Sequence, residues 1–126
     1  MATSAAASAA TEAIGVVPAV DHAHLARYTF GNKALEVEVL NLFADQAPLY
    51  LTNLRDARSE KDWRDAAHTL KGSARAVGAM RVAELAERAE ALRSSADMAA
   101  RAMAIDALAE ALDEARQHIA RLEVDR

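Results

Sequence analysis

Cysteine is absent from the 126-residue chain, which excludes disulfides, thiolate metal sites and a cysteine nucleophile. Aromatic residues are only 4% of the sequence, and four glycines and two prolines leave few positions that force a turn or break a helix. No apolar run reaches the length of about 18 residues that a membrane-spanning helix needs, so none is expected. The opening MATSAAASAATEAIG lacks a basic start and a strongly apolar stretch, which makes it a poor secretory signal, and a cytoplasmic protein is expected. A basic excess is missing too. The chain has 19 acidic and 15 basic residues, a net charge of −4, which argues against general nucleic-acid binding.

What is present points to helices. Hydrophobic residues make up 52%, and much of that is alanine and leucine, both strong helix formers, so the expected class is all-α. The length suits one domain with a real core. Residues 1–20 are rich in Ala, Ser and Thr and are predicted to be a flexible or loosely docked tail, with a bundle domain over 21–126. Asp21 is placed to cap a short helix over DHAHLARYTF, which Gly31 and Asn32 end. Asn32 then caps a helix at about 33–58, with an apolar stripe of Leu35, Val39, Leu42, Phe43, Leu49, Leu54 and Ala57 and a kink at Pro48. Ser59 caps a third helix at about 60–76, and Gly78 ends it in a left-handed conformation. A fourth, at about 79–95, carries Val82, Leu85, Ala86, Ala89 and Leu92. SSAD at 94–97 breaks the pattern and caps a fifth, at about 98–122, striped by Ile105, Leu108, Leu112, Ala115, Ile119 and Leu122. Short connections between long amphipathic helices predict an antiparallel up-down-up-down four-helix bundle with a short extra N-terminal helix over one end.

The third helix carries the most informative face. At 100° per residue, Trp63, Ala66, Ala67, Leu70, Ala74 and Val77 share one side. His68 points roughly 140° from that side and Gly72 roughly 180° from it, so both are predicted to face solvent. Lys61, Arg64, Lys71 and Arg75 surround the histidine, with Asp65 the one acidic neighbour. One reading is a solvated charged face with an incidental histidine. The glycine favours another, because an exposed mid-helix Gly costs about 1 kcal/mol relative to Ala and brings no packing. Its bare position makes room for something bulky beside His68. A neutral imidazole is a nitrogen nucleophile near neutral pH, and adjacent cations favour its neutral form and stabilise arriving negative charge. Phosphoryl transfer asks mainly for such alignment and charge stabilisation.

AAHTLKGSARAVGA followed by VAELAERAEAL resembles the histidine-containing phosphotransfer (HPt) domains of multistep bacterial phosphorelays. The motif residues are His68, Leu70, Lys71, Gly72, Ser73 and Gly78, and weaker similarity spans about 21–122. The resemblance implies a four-helix bundle with His68 phosphorylated, Lys71 assisting electrostatically and Gly72 leaving room. It also implies that Ser73 packs or hydrogen-bonds nearby. Arg75 stands where many relatives have a small or uncharged residue, which bears on partner range. Arg64 and Arg75 are further candidates to hold the phosphoryl charge. The implied partners are receiver domains of a hybrid histidine kinase and of a response regulator, which also supply Mg²⁺. The chain itself would be a carrier with no cofactor, no metal and no ATP site, since no phosphate-binding Gly-rich loop occurs. A monomer is expected, without nucleic-acid or membrane partners.

Other features admit more than one reading. Val37, Leu40, Ala44, Ala47 and Leu51 lie off the predicted stripe of the second helix. They suit a docking patch, cover by the N-terminal helix or tail, or a homodimer contact. His22 and His24, two apart, do not share a helical face and make a poor metal site. His118 is expected to be partly exposed and Trp63 to anchor the core. Glu84, Glu87, Arg88 and Glu90 read as a mixed-charge outer face. A bundle used only for interaction or dimerisation is the rival function, one in which His68 stays unmodified.

Overall fold

The polar caps anticipated at the first three helix starts are all in use in the computed structural model, which describes residues 18–92 and 98–124. Helix α1 (His22–Thr29) begins where Asp21 Oδ1 accepts from the His24 N–H at 3.0 Å. Helix α2 (Lys33–Arg55) begins where Asn32 Oδ1 accepts from the Leu35 N–H at 3.0 Å. Helix α3 (Glu60–Val77) begins where Ser59 Oγ accepts from the Asp62 N–H at 3.0 Å. Each such cap satisfies a donor that the first turn leaves unpaired. Helices α4 (Met80–Ala91) and α5 (Met98–Val124) follow, and no strand occurs among the described residues. The SSAD cap anticipated for α5, apart from the boundary it marks, and the tail reading for 1–17 lie outside the described residues.

The stops also follow from backbone chemistry. Helix α1 ends in two successive left-handed residues, Phe30 (φ 53°) and Gly31 (φ 76°). Gly78 (φ 81°) ends α3, as anticipated, and its N–H donates to Arg75 O. Pro48 does not divide α2, which is a single helix through it.

Packing forms a ring in which α2 contacts α3, α3 contacts α4, α4 contacts α5, and α5 returns to α2, while α1 lies on α2 and α3. Leucines 25, 40, 54, 70, 108 and 112 are fully buried together with Trp63 and Ile119. Trp63 anchors the core as predicted, and its indole N–H donates to Ala89 O at 2.7 Å. The Arg101 guanidinium lies over the same ring, 4.7 Å from its centroid. The buried stripes of α4 (Val82, Ala83, Ala86, Ala89) and α5 (Leu108, Ala111, Leu112, Ala115, Ile119) match the predicted faces closely. Val20 is also buried, and the Asp21 N–H donates to Gly78 O at 2.7 Å, so the chain joins the core just before α1.

Helix α2 is turned relative to expectation. It buries Glu36, Leu40, Phe43, Ala47, Tyr50 and Leu54, and leaves Leu35, Leu42 and Leu49 exposed. The predicted stripe followed the leucines, whereas packing selects a face that alternates steps of four and three and includes a carboxylate. Glu36 tolerates burial because Thr29 Oγ1 donates to it at 3.1 Å and Lys33 Nζ lies 3.6 Å away. Leu40 and Ala47, anticipated on the outer side, are therefore core residues.

At Gly78 a Cβ would lie 2.6 Å from the backbone oxygen of Asp21, in addition to the left-handed φ. Gly78→Ala should destabilise the protein by more than about 1 kcal/mol, read as a lower urea midpoint. An unchanged midpoint contradicts this packing.

Candidate functional site

Helix α3 carries His68 on its outward face, with 68% of the side chain exposed. This follows from the register of the helix, since Trp63, Ala67, Leu70, Ala74 and Val77 occupy the buried side. Gly72 lies one turn further along on the exposed surface, and a Cβ built there meets nothing within 4 Å. The space anticipated beside the histidine is therefore open.

The ring is held by a residue that the sequence reading did not single out. His68 Nδ1 lies 2.9 Å from Glu90 Oε2, and Lys71 Nζ donates to Glu90 Oε1 at 2.6 Å. One carboxylate thus joins two side chains of α3 to α4. Lys71 is largely covered, with 15% of its side chain exposed. Hydrogen bonding from Lys71, seconded by His68 and opposed by burial, holds the Glu90 carboxyl below its usual pKa, so it is ionised at neutral pH. An ionised carboxylate only accepts, so His68 Nδ1 is the donor in this contact, and in the neutral ring that tautomer leaves the lone pair on Nε2.

The mostly basic surround inferred from the sequence, with Asp65 its one acidic neighbour, is largely ion-paired. Lys61 pairs with Asp65 at 2.6 Å, Lys71 with Glu90, and Arg75 Nη2 with Glu87 Oε1 at 3.2 Å. Arg64 is exposed and makes no ion pair among the described residues. The Lys61–Asp65 pair lies within α3, and the other two arise because α4 packs against α3 and brings Glu87 and Glu90 to its basic face. Glu87 and Glu90, read as part of a solvated outer face, are the partners supplied by that approach.

The remaining predicted residues take different positions. Ser73 is half-buried and lines an apolar groove of about 370 Å³, with Leu25 and Tyr28 of α1, Leu42 and Phe43 of α2, and Val77. The Arg75 carbonyl accepts from His24 Nε2 at 2.8 Å, which ties α1 to α3. Gly78 ends α3 beyond this group and shapes the backbone there. Tyr28 borders both the groove and a recess formed with His24, Gly72 and Arg75, so the two depressions adjoin each other along the face of α3. No cluster of three or more metal-ligating side chains occurs among the described residues, and no described helix is long and apolar enough to cross a membrane.

The lowered Glu90 pKa gives a signed expectation. Its contribution to stability is complete above the unfolded glutamate value of about 4.3 and is lost as pH falls through the lower folded value. Glu90→Gln should remove that part of the acid-side slope in denaturation curves recorded from neutral pH downward. An identical slope in the variant means that the Lys71–Glu90–His68 contact is not maintained in solution.

No curated protein and no solved structure matches the chain significantly. The family model for the Hpt domain matches residues 38–118, a span running from α2 into α5 that holds His68, Lys71, Gly72 and Glu90 and covers well over half of the chain. With an all-helical bundle around an outward histidine and this match, the chain belongs to the Hpt domain family, the histidine phosphotransfer domains of phosphorelays.

Proposed function

We propose that this protein carries a phosphoryl group on His68 between the aspartates of two receiver domains, one from a hybrid histidine kinase and one from a response regulator. The observation that carries this reading is the His68 ring itself, anchored through Nδ1 by Glu90 and open to solvent beside a residue with no side chain.

In the transfer step, the Nε2 lone pair attacks the phosphorus of an aspartyl phosphate in line. The N–P bond forms, the P–O bond to the aspartate breaks, and the bonding pair leaves with the carboxylate. The imidazole gains positive charge as the bond forms, and the Glu90 carboxylate on Nδ1–H stabilises it. Lys71, bound to the other Glu90 oxygen, supplies positive charge beside the phosphoryl oxygens, and Arg64 and Arg75 extend that field. Gly72 leaves room for the incoming phosphoryl group. The reverse attack by a second receiver's aspartate returns the ring to its starting state. Any Mg²⁺ in this scheme is bound by the receiver, and the carrier adds no cofactor.

The apolar groove and the exposed Leu35, Leu42 and Leu49 support docking of the receiver along α2 and α3. The ring of neighbouring helix contacts supports an up-down-up-down arrangement that presents this face as one surface. The carrier is proposed to work as a cytoplasmic monomer, so that one face serves donor and acceptor in turn.

His68→Gln should abolish label transfer from a phosphorylated receiver, and the wild-type adduct should be acid-labile and base-stable. Transfer at the wild-type rate in His68→Gln overturns the assignment, and a wild-type protein that takes up no label favours an interaction-only bundle. Gly72→Ala should raise stability by up to about 1 kcal/mol, while Gly72→Leu should fold and transfer slowly. Normal transfer by Gly72→Leu contradicts the clearance argument.

A further inference from the structure

Helix α1 is fastened to the bundle by a short set of contacts. Val20 and Leu25 are buried, the Asp21 N–H reaches Gly78 O, His24 Nε2 reaches Arg75 O, and Thr29 Oγ1 reaches Glu36. One further tether joins two imidazoles, with His22 Nε2 lying 2.8 Å from His118 Nε2 on α5. The ring centroids are 5.1 Å apart and the planes are inclined by 47°. That centroid separation is what two imidazoles give when their Nε2 atoms point straight at each other. A head-on pair suits one proton shared as N–H···N. The lone pairs of two histidines chelating a cation would instead converge on a point off the line between them.

The charge around the pair makes it sensitive to acid. The charged groups acting on His118 are His22 across the contact and Arg121 on its own helix, and both disfavour its imidazolium form. Helices α2 and α4, which also pack on α5, contribute no charge acting on it. On the α1 side the Asp21 carboxylate is engaged by the His24 N–H, Arg27 stands in the last turn, and the first turn carries no acidic residue. Neither ring makes an ion pair with a carboxylate among the described residues. Burial first, then His22 and Arg121, holds the His118 pKa below its usual value.

Proton counting gives the behaviour. The neutral pair holds one Nε2–H between two nitrogens. A first added proton goes to Nδ1 of the donating ring and leaves the N–H···N bond in place, now charge-assisted. A second must take the accepting Nε2 lone pair, which removes the acceptor and sets two cations face to face. We propose that the His22–His118 pair is an acid-released latch that holds α1 against α5 at neutral pH and lets it go when both rings are protonated. The latch is complete above the unfolded histidine value of about 6.5 and is lost as pH falls through the lower folded value. Helix α1 lends Tyr28 and His24 to the recess beside Gly72, and Leu25 and Tyr28 to the adjoining groove, so its release remodels the surface next to the candidate site.

The test uses the full chain and needs no phosphoryl transfer. Histidine side-chain ¹⁵N spectra and amide-exchange protection factors are recorded from about pH 8 to about pH 4.5. His118 should titrate below the ordinary value, and protection in α1 should fall at least about tenfold as it does so, while α3 and the middle of α5 keep theirs. In His118→Gln, which retains an acceptor and cannot titrate, α1 protection should stay flat over the same range. Flat α1 protection in the wild type down to a pH at which the spectra show both His22 and His118 protonated overturns the latch, as does an equal fall in His118→Gln. Should the variant not fold, the wild-type titration decides alone.

Discussion

The seam where α3 packs against α4 sets the distance on which the site depends. Ala67 and Ala74 of α3 and Ala83, Ala86 and Ala89 of α4 are all buried, and small side chains at a helix contact let the two backbones approach closely. In this packing the Glu90 carboxylate reaches both His68 and Lys71. The Trp63 indole, bonded to Ala89 O, fixes the register of the same pair of helices at the lower end of the seam. A sequence that spends so much of its composition on alanine has therefore gained more than helix propensity. It has obtained a cross-helix contact that aims one imidazole.

That contact divides the work between the two nitrogens of the ring. Nδ1 is engaged by Glu90 on α4, while Nε2, on a largely exposed side chain, makes no hydrogen bond among the described residues and, in the neutral ring, keeps its lone pair. The arrangement uses a carboxylate inside a basic surface, which lowers the net positive charge at the site compared with a purely cationic strip. In return it orients the ring and would balance the positive charge that the proposed substitution at Nε2 places on it. Lys71 is held within the same cluster instead of sampling solvent, so its charge is placed and not merely nearby.

Features confined to one helix were legible in the sequence. Helix α3 has a strongly segregated pattern, and reading it at the helical period placed His68 outward, Gly72 in the open and Gly78 at the stop. Caps at Asp21, Asn32 and Ser59 were legible because each bonds within its own first turn. Contacts between distant segments were not. Glu90 stands 22 residues from His68, and nothing in the pattern of α4 tells which outward glutamate reaches α3. The His22–His118 pair spans 96 residues and was invisible for the same reason. Helix α2 misled because Leu35, Leu42 and Leu49 were taken as part of the core face, whereas Leu40, Ala47, Tyr50 and a hydrogen-bonded Glu36 pack inward and those three leucines are left along the outer surface.

The central claim is that Glu90 fixes the His68 proton on Nδ1 and so makes Nε2 the atom that reacts. Ring ¹⁵N shifts of His68, recorded at neutral pH before and after loading from a phosphorylated receiver, test it most directly. The account predicts a protonated, pyrrole-type Nδ1 and an unprotonated, pyridine-type Nε2 in the free protein, with phosphorus coupling to Nε2 in the loaded one. A proton resident on Nε2, or phosphorus attached to Nδ1, would contradict it.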